Sequence, residues 1–171
     1  RYPLDAAIVF ADIMSPLPAL GIEFDFDPGP VVENPIRNQK DVDLLIPPDP
    51  EKLASEVITT LHQTRSAISE DTALLGFCGA PWTLAAYLVE GRGVKDFPTL
   101  RAFAAAQPDA LGSLLKKLSD AMATYLINQA SAGADAVQIF DSWAGILSLY
   151  DWERLIRPHL HSLLQKVGDA G

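Results

Sequence analysis

The sequence predicts an α/β protein in which parallel strands alternate with helices, as part of a (β/α)8 barrel. Three apolar segments, residues 4–12, 72–78 and 134–140, have the composition of buried strands, and stretches with helical periodicity separate them. Three such strands are too few for a closed eight-stranded barrel, which needs about 250 residues, whereas the chain has 171. No G-x-G-x-x-G motif follows the first strand, so a dinucleotide-binding fold is disfavoured. We expect residues 1–171 to form a single domain.

The first part of the chain supplies one strong strand, one weaker strand and a proline-rich stretch. Residues 4–12 (LDAAIVFAD) form a nearly continuous apolar run, which is typical of a strand buried on both faces. Residues 13–21 contain two prolines and predict a loop or a short helix. Residues 22–27 alternate apolar and acidic side chains, as a half-exposed strand does. Residues 28–50 are rich in proline and polar residues, and we expect them to run over the surface.

A helix, a strand and another helix follow in the order of a βα unit. Asp49 and Pro50 predict the N-cap and first helical position of a helix that continues to about Ser69. The strand over residues 72–78 then leads, through Gly79-Ala80-Pro81, into a helix over residues 81–90. Glycine and proline at this junction let the backbone run close to a ligand at the carboxyl end of the strand, where barrels and open α/β sheets bind their ligands.

The last third of the chain predicts three more helices and the third strand. Helices are expected over residues 98–106 and 108–132, and leucines recur every three or four positions in the longer one. The strand over residues 134–140 comes next. An S-x-x-D capping box at Ser148 opens a final helix, which Pro158 is expected to kink.

Composition and charge indicate a globular protein of a reducing compartment. Hydrophobic residues make up 49% and charged residues 20% of the chain, and neither a membrane-spanning apolar run nor a secretory signal is recognisable. A net charge of −9 with scattered basic residues argues against nucleic acid as a partner. The single cysteine, Cys78, cannot form an internal disulfide, so the cytoplasm is the predicted location. The chain begins at Arg1 without a methionine and ends at Gly171 just after a helix, which leads us to expect a segment of a longer protein.

Polar side chains near the strand ends are the candidates for a site. Asp12 ends the first strand, where an ionised side chain is costly unless it is hydrogen-bonded, so it is either a site residue or the N-cap of the next turn. Tyr87 lies on the same helix face as Thr83 and fits either a core tyrosine or a residue that contacts a ligand. Ser142 and the preceding Asp141 follow the third strand, and either could cap the turn after it.

Metal and nucleophile chemistry are disfavoured. Cys78 fits a small apolar residue at a strand end better than a nucleophile, because no histidine has an evident pairing with it. His159 and His161 are two positions apart on a helix and point to different faces, which makes a poor metal pair, and His62 lies on a surface-type helix. The sequence contains no H-E-x-x-H, C-x-x-C or G-x-S-x-G motif. No metal site and no serine hydrolase is therefore predicted.

Three long segments resemble the uroporphyrinogen decarboxylase family of haem biosynthesis. Residues 76–91 (GFCGAPWTLAAYLVEG) look like its second signature segment, residues 1–21 (RYPLDAAIVFADIMSPLPALG) resemble the stretch that carries its essential aspartate, and residues 133–145 (GADAVQIFDSWAG) resemble a third segment. The segments occur in the same order, and the likeness covers nearly the whole chain. It implies a (β/α)8 barrel that works as a homodimer without a cofactor. The implied reaction is removal of the carboxyl groups from the four acetate side chains of uroporphyrinogen III, a tetrapyrrole.

The resemblance assigns roles to individual residues of this chain. Asp12 matches the family aspartate that binds the pyrrole N–H groups at the centre of the substrate, and a carboxylate offers about four lone-pair sites for them. Tyr87 and Ser142 match a tyrosine and a serine at substrate contacts. Apolar positions that line the family's pocket are matched by Ile8, Phe10 and Phe140.

The resemblance also implies two elements outside this sequence, and two alternatives stay open. An arginine-rich segment would precede Arg1 and a substrate-binding histidine would follow Gly171, so we expect little or no activity from this chain alone. One alternative is a zinc- or corrinoid-dependent methyltransferase of the same superfamily, although this chain offers no set of His and Cys ligands. The other is a tetrapyrrole binder without catalysis, which would gain less from a buried acid at Asp12.

Overall fold

A computed structural model describes residues 4–170, and within them strands and helices alternate along most of the chain. The strands are β1 (Ala6–Ile8), β2 (Phe24–Phe26), β3 (Pro30–Val32), β4 (Ala73–Gly79) and β5 (Ala136–Phe140). The helices are α1 (Gln39–Asp43), α2 (Ser55–Ala67), α3 (Pro81–Glu90), α4 (Pro98–Ala106), α5 (Pro108–Ser131), α6 (Leu149–Asp151) and α7 (Arg157–Ala170), with a π-helical turn (Trp152–Ile156) between α6 and α7. None of the helices in residues 4–170 is both long and apolar enough to cross a membrane.

A parallel sheet of three strands forms the centre of the structure. Its order is β1-β4-β5, with Ile8 paired to Leu75 on one side of β4 and Phe140 paired to Gly79 on the other. Parallel strands need long crossovers, which the helices between them supply. The predicted α/β class with parallel strands is confirmed. Over residues 4–170 the strands do not close into a barrel.

The two faces of this sheet have different surroundings. Helices α5 and α2 pack against β4, and Leu74 and Cys78 are buried on that side. On the opposite face Ile8 is 48% exposed and Phe10 is 84% exposed. The prediction that residues 4–12 form a strand buried on both faces is therefore wrong in two respects. The paired strand is limited to Ala6–Ile8, and its residues are exposed or only half-buried.

Residues 28–50 are more regular than a surface excursion. Strand β3 pairs antiparallel with β2, whose strand character was predicted, and Phe24 lies opposite Val32. Pro30 starts β3, a position at which a strand tolerates proline. Helix α1 begins with a complete capping box between Asn38 and Asp41. The predicted excursion is corrected to a hairpin and a short helix.

The predicted helix start at Asp49 belongs to a different element. Asp49 does act as a cap, since its Oδ1 accepts from the Glu51 N–H at 3.1 Å, but the element it caps is a 3-10 turn (Pro50–Lys52). Ala54, with φ of 50°, lies in the left-handed region and cannot continue a right-handed helix. The α-helix proper therefore starts at Ser55.

The final helical segment begins at the predicted cap. Ser148 Oγ accepts from the Asp151 N–H at 3.1 Å and donates to Asp151 Oδ2 at 2.7 Å. Pro158 lies in the first turn of α7, directly after the π-helical turn (Trp152–Ile156). Because proline lacks an N–H, it cannot donate to a carbonyl of the preceding turn, and the change from π to α geometry occurs at this point.

Candidate functional site

A cavity of about 350 Å³ opens at the carboxyl edge of the parallel sheet, and we call it the edge cavity. Its lining is formed by Phe10, Ala11, Asp12, Ile13, Pro30, Phe77, Tyr87, Phe140 and Ser142. Five of the six residues proposed from the sequence meet here. Four of them lie at or just after the carboxyl ends of parallel strands, which share one edge, and Tyr87 reaches the cavity from helix α3. The sixth, Ile8, lies two residues before Phe10 on β1 and does not line the cavity.

Asp12 is exposed and not a buried acid, and it both caps a turn and faces the edge cavity. Its Oδ1 accepts from the Met14 N–H at 2.8 Å, and its carbonyl accepts from the Ser15 N–H at 3.0 Å. Met14 is fully buried and anchors that turn to the core. The hydrogen bond occupies one lone pair of a carboxylate that offers about four. The two interpretations of Asp12 are therefore compatible, and the cap orients the side chain that lines the cavity.

Ser142 lies between two residues that are tied to helix α3. The fully buried Thr83 donates through Oγ1 to Asp141 Oδ1 at 2.8 Å. Thr83 Oγ1 also accepts from the Trp143 N–H at 3.2 Å. Neither Asp141 nor Ser142 caps the 3-10 turn (Ala144–Ile146) that follows with its side chain. One hydroxyl group on α3 thus bonds to the side chain of the residue before Ser142 and to the backbone N–H of the residue after it.

The carboxyl group of Asp141 is half-buried, and this affects its titration. Burial raises the pKa of Asp141, while hydrogen bonds from the side chain and backbone of Thr83 act in the opposite direction. Among residues 4–170 no partner approaches the buried Oδ2 atom of Asp141. Hydrogen bonds from Thr83 are therefore the main interactions that stabilise the ionised carboxylate of Asp141.

Tyr87 is half-buried on α3, one turn after Thr83. Its ring meets Trp143 edge to face at a centroid distance of 6.3 Å, and Trp143 packs on Phe97 at 4.7 Å. Thr83 and Tyr87 both contact Trp143, which confirms that they share a helix face. The position of Tyr87 is thereby coupled to the segment that carries Ser142.

The apolar wall of the edge cavity is centred on Phe77, which the sequence reasoning did not select. Its ring lies 5.7 Å from that of Phe10 and 5.5 Å from that of Phe140, the second contact being edge to face. Phe77 and Phe140 lie on neighbouring strands, Phe10 follows the end of β1, and all three side chains line the edge cavity. Alternate residues of a strand point to the same face, and Leu75 lies opposite Ile8, so Phe77, two residues after Leu75, is expected on the face that Ile8 occupies.

Cys78 lies on the opposite, helix-covered face of β4. It is buried, and burial raises the pKa of its thiol to about 12. A thiol with that pKa is protonated at neutral pH and is a poor nucleophile. Over residues 4–170 no three His, Cys, Asp or Glu side chains converge as ligands for a metal ion.

The edge cavity therefore combines an apolar wall with one carboxylate and two hydroxyl groups. Asp12 can accept hydrogen bonds from N–H groups or compensate a positive charge, and the apolar wall strengthens such an interaction by lowering the local dielectric. Tyr87 and Ser142 can donate to anionic or carbonyl groups of a ligand. This arrangement suits a ligand with an apolar face that presents hydrogen-bond donors to Asp12 and acceptors to Tyr87 and Ser142.

The sequence is similar to one protein family over its whole length. A model of the family described as uroporphyrinogen decarboxylase (URO-D) matches residues 1–171. The uroporphyrinogen decarboxylase of Crocosphaera subtropica is 42% identical over 168 residues, which are 97% of this chain and 48% of that protein. The one from Trichlorobacter lovleyi is 43% identical over 161 residues, covering 94% of this chain and 47% of that protein. The chain spans about half the length of the curated relatives it matches.

A solved structure shares the same fold. A methyltransferase from Methanosarcina mazei superimposes with a TM-score of 0.78 over 95% of this chain and 49% of its own length. The sequence identity is 19%, so this likeness concerns the fold alone.

Proposed function

This chain belongs to the uroporphyrinogen decarboxylase family, and we propose that the full-length protein is a cofactor-free carboxy-lyase. It would remove the carboxyl groups from the four acetate side chains of uroporphyrinogen III and yield coproporphyrinogen III, a step of porphyrin and haem biosynthesis. The observation that carries the proposal is the placement of Asp12 at a cavity whose wall is formed by Phe10, Phe77 and Phe140. That setting is what a central carboxylate needs in order to act on a cationic pyrrole.

The proposed chemistry begins with protonation of a ring carbon next to an acetate arm. The pyrrole becomes cationic, the bond between the acetate methylene and its carboxylate breaks, and the electron pair flows into the ring as carbon dioxide leaves. A proton then adds to the methylene carbon, which becomes a methyl group, and the proton acquired by the ring is lost. The ring itself accepts the electron pair, so no separate electron sink is needed.

Asp12 would stabilise the cationic intermediate. A unit negative charge about 4 Å from a positive one contributes about 4 kcal/mol at an effective dielectric constant of about 20. An interaction that develops only as the ring becomes cationic lowers the barrier instead of merely tightening binding. The remaining lone pairs of Asp12 would accept the pyrrole N–H groups, while Tyr87 and Ser142 would contact substrate side chains at the margin of the cavity.

The wider assembly is part of the same proposal. We assign residues 1–171 to one domain that contributes part of a (β/α)8 barrel, with the exposed apolar face around Ile8 and Phe10 directed towards the barrel interior. We also propose a homodimer in the cytoplasm. A substrate with eight carboxylates would be repelled by a chain of net charge −9, so the 171-residue chain alone should show little or no turnover.

Replacement of Asp12 by asparagine tests the role of its charge. Asparagine can still accept the Met14 N–H, so the unfolding free energy of Asp12→Asn should change by no more than about 0.5 kcal/mol. Turnover of uroporphyrinogen by the full-length protein should fall by two to three orders of magnitude, since about 4 kcal/mol corresponds to about 10³-fold. The measurement is formation of coproporphyrinogen under saturating substrate.

Asp25 provides a matched control on strand β2. Its Oδ1 also accepts a backbone N–H, from Phe26 at 2.7 Å, and its side chain is exposed outside the edge cavity. Asp25→Asn should leave turnover unchanged. Near-normal activity of the well-folded Asp12→Asn protein would refute the role given to that carboxylate.

Two further measurements separate the alternatives. A zinc- or corrinoid-dependent methyltransferase would contain metal in the full-length protein, which elemental analysis detects. A tetrapyrrole binder without catalysis would retain uroporphyrinogen and form no coproporphyrinogen. The fold likeness to the Methanosarcina mazei methyltransferase favours neither, because it extends to the fold only.

A further inference from the structure

The pairing of β1 with β4 stops before the strands reach the edge cavity. Along this ladder the Ala73 N–H donates to the Asp5 carbonyl at 3.0 Å, and the Val9 N–H donates to the Leu75 carbonyl at 3.4 Å. Continued in the same register, the ladder would next join the Phe77 N–H to the Val9 carbonyl. It would then join the Ala11 N–H to the Phe77 carbonyl. In the structure the peptide groups of Phe77 bond elsewhere.

Gln129 of helix α5 takes both of these hydrogen bonds. Its Oε1 accepts from the Phe77 N–H at 2.9 Å, and its Nε2 donates to the Phe77 carbonyl at 2.9 Å. The side chain is 1% exposed, so these bonds are shielded from water. The primary amide presents one acceptor and one donor side by side, as the neighbouring strand would have done. Phe77 is therefore fully satisfied without β1.

Gly76, which precedes Phe77, leaves room for the Gln129 amide beside β4. A Cβ atom on Gly76 would lie 2.3 Å from Gln129 Oε1, so a larger residue would displace the amide. On the other side of β4 the ladder is intact, because Gly79 pairs with Phe140 and the Ala80 N–H donates to the Phe140 carbonyl at 2.8 Å. The sheet is thus opened on the β1 side alone.

Opening the sheet at this point sets the course of the residues that follow Val9. They leave the sheet, Phe10 stacks on Phe77 from the cavity side, and the chain turns at Asp12 and Met14. Had the ladder continued, Ala11 would be held against β4 in the plane of the sheet. The location of the Asp12 carboxylate therefore depends on which group bonds to the Phe77 peptide.

We propose that Gln129 is a positioning residue that ends the β1–β4 ladder and so places Asp12 at the edge cavity. This proposal rests on the decarboxylase function proposed above, and it adds a determinant that does not itself line the cavity. Irregularities that re-aim a side chain beside an active site serve the same purpose in other sheets. A displacement of about 1 Å in a reacting group can cost about 10²-fold in rate.

The test compares Gln129→Met with Gln129→Glu in the full-length protein. Methionine has a similar length and can make neither hydrogen bond, so its kcat should fall about 10- to 100-fold while KM changes less than threefold. A protonated glutamic acid can accept and donate as the amide does, whereas a carboxylate cannot donate. The kcat of Gln129→Glu, divided by that of wild type, should therefore rise as the pH is lowered. The corresponding ratio for Gln129→Met should stay flat.

Leu118→Ala separates positioning from general stability. Leu118 is fully buried in α5, eleven residues before Gln129 and about 16 Å away along the helix. It should lower stability while the folded protein keeps a wild-type kcat. All rates are divided by the folded fraction, which circular dichroism measures in the assay buffer.

A crystal structure of Gln129→Met provides a test that does not depend on activity. We expect the Phe77 N–H to bond to the Val9 carbonyl within 3.5 Å and Asp12 to move with β1. The proposal is overturned if β1 still leaves β4 after Val9, or if folded Gln129→Met turns over substrate within twofold of wild type. An inactive wild-type protein would refute the proposed decarboxylase function, and the crystal structure would still decide whether Gln129 ends the ladder.

Discussion

Loss of the Thr83 hydroxyl group should destabilise the protein and disturb the position of Ser142. Thr83 is fully buried, and Thr83→Val replaces its hydroxyl by a methyl group of similar size, so no large cavity is formed. Two hydrogen bonds disappear, one to Asp141 Oδ1 at 2.8 Å and one from the Trp143 N–H at 3.2 Å. The variant removes polar contacts while it retains the packing of helix α3.

The expected magnitude follows from these two bonds. A hydrogen bond to a charged group contributes about 1.5–3 kcal/mol, and one between neutral groups contributes about 1 kcal/mol. Some water reaches the half-buried Asp141, so we expect Thr83→Val to lower the unfolding free energy by about 2–4 kcal/mol. Thr83→Ser keeps the hydroxyl and should restore most of that loss. Urea denaturation at pH 7 measures both variants.

The effect should also depend on pH. Burial already raises the pKa of Asp141 above its unfolded value, so the stability linked to this group is present at low pH and is lost as the pH rises through the folded pKa. Removal of the Thr83 hydrogen bond raises that pKa further. The difference between Thr83→Val and wild type should therefore be largest above the folded pKa of Asp141 and should shrink as the pH falls.

Three outcomes would contradict this reasoning. The first is an unfolding free energy of Thr83→Val within about 0.5 kcal/mol of wild type at pH 7, the range expected of a neutral surface change. The second is a loss that Thr83→Ser does not reverse. The third is a destabilisation that does not change with pH, which would place the effect in packing and not in the contact with Asp141.

Two further predictions concern strand β4. Gly76→Ala places a Cβ atom 2.3 Å from Gln129 Oε1 and should lower the unfolding free energy, measured by urea denaturation, by about 1–3 kcal/mol. The control is Gly112→Ala in α5, where a Cβ meets no atom within 4 Å, and it should raise the unfolding free energy by about 0.5–1 kcal/mol. Equal effects of the two variants would contradict the close approach of Gly76 to Gln129. Cys78, buried and with a pKa of about 12, should react with iodoacetamide at pH 8 about 10³-fold more slowly in the folded protein than in denaturant, and comparable rates would show that the thiol is accessible.

Local patterns in the sequence predicted the parts of the fold that depend on neighbouring residues. The strand, turn and helix around Gly79-Ala80-Pro81 occur as expected, and Thr83 and Tyr87 share a helix face because they are four residues apart. The convergence of Asp12 and Ser142 followed from one rule, that parallel strands end at a common edge. These inferences needed no knowledge of distant contacts.

The features that were missed depend on partners far away in the sequence. Gln129 and Phe77 are 52 residues apart, and no periodicity shows that a helix side chain will replace a strand. The hairpin of β2 and β3 was not predicted because residues 28–50, which include Pro30 at the start of β3, have the proline-rich composition of a loop. The exposed state of Phe10 was missed for a related reason, since an apolar run does not reveal which face helices will cover.

The carboxyl edge of the sheet is fixed by buried residues, and these anchoring residues are different from the residues that face the ligand. Met14, Thr83 and Gln129 hold the three strand ends, are fully or almost fully buried, and do not line the edge cavity. Asp12 and Ser142 line the cavity, are exposed, and depend on those anchors for their positions. A change at Thr83 or Gln129 must therefore alter stability and geometry together, because the hydrogen bonds of these two side chains serve both. A changed cavity side chain can alter chemistry while the strand ends, and with them the fold, stay where they are.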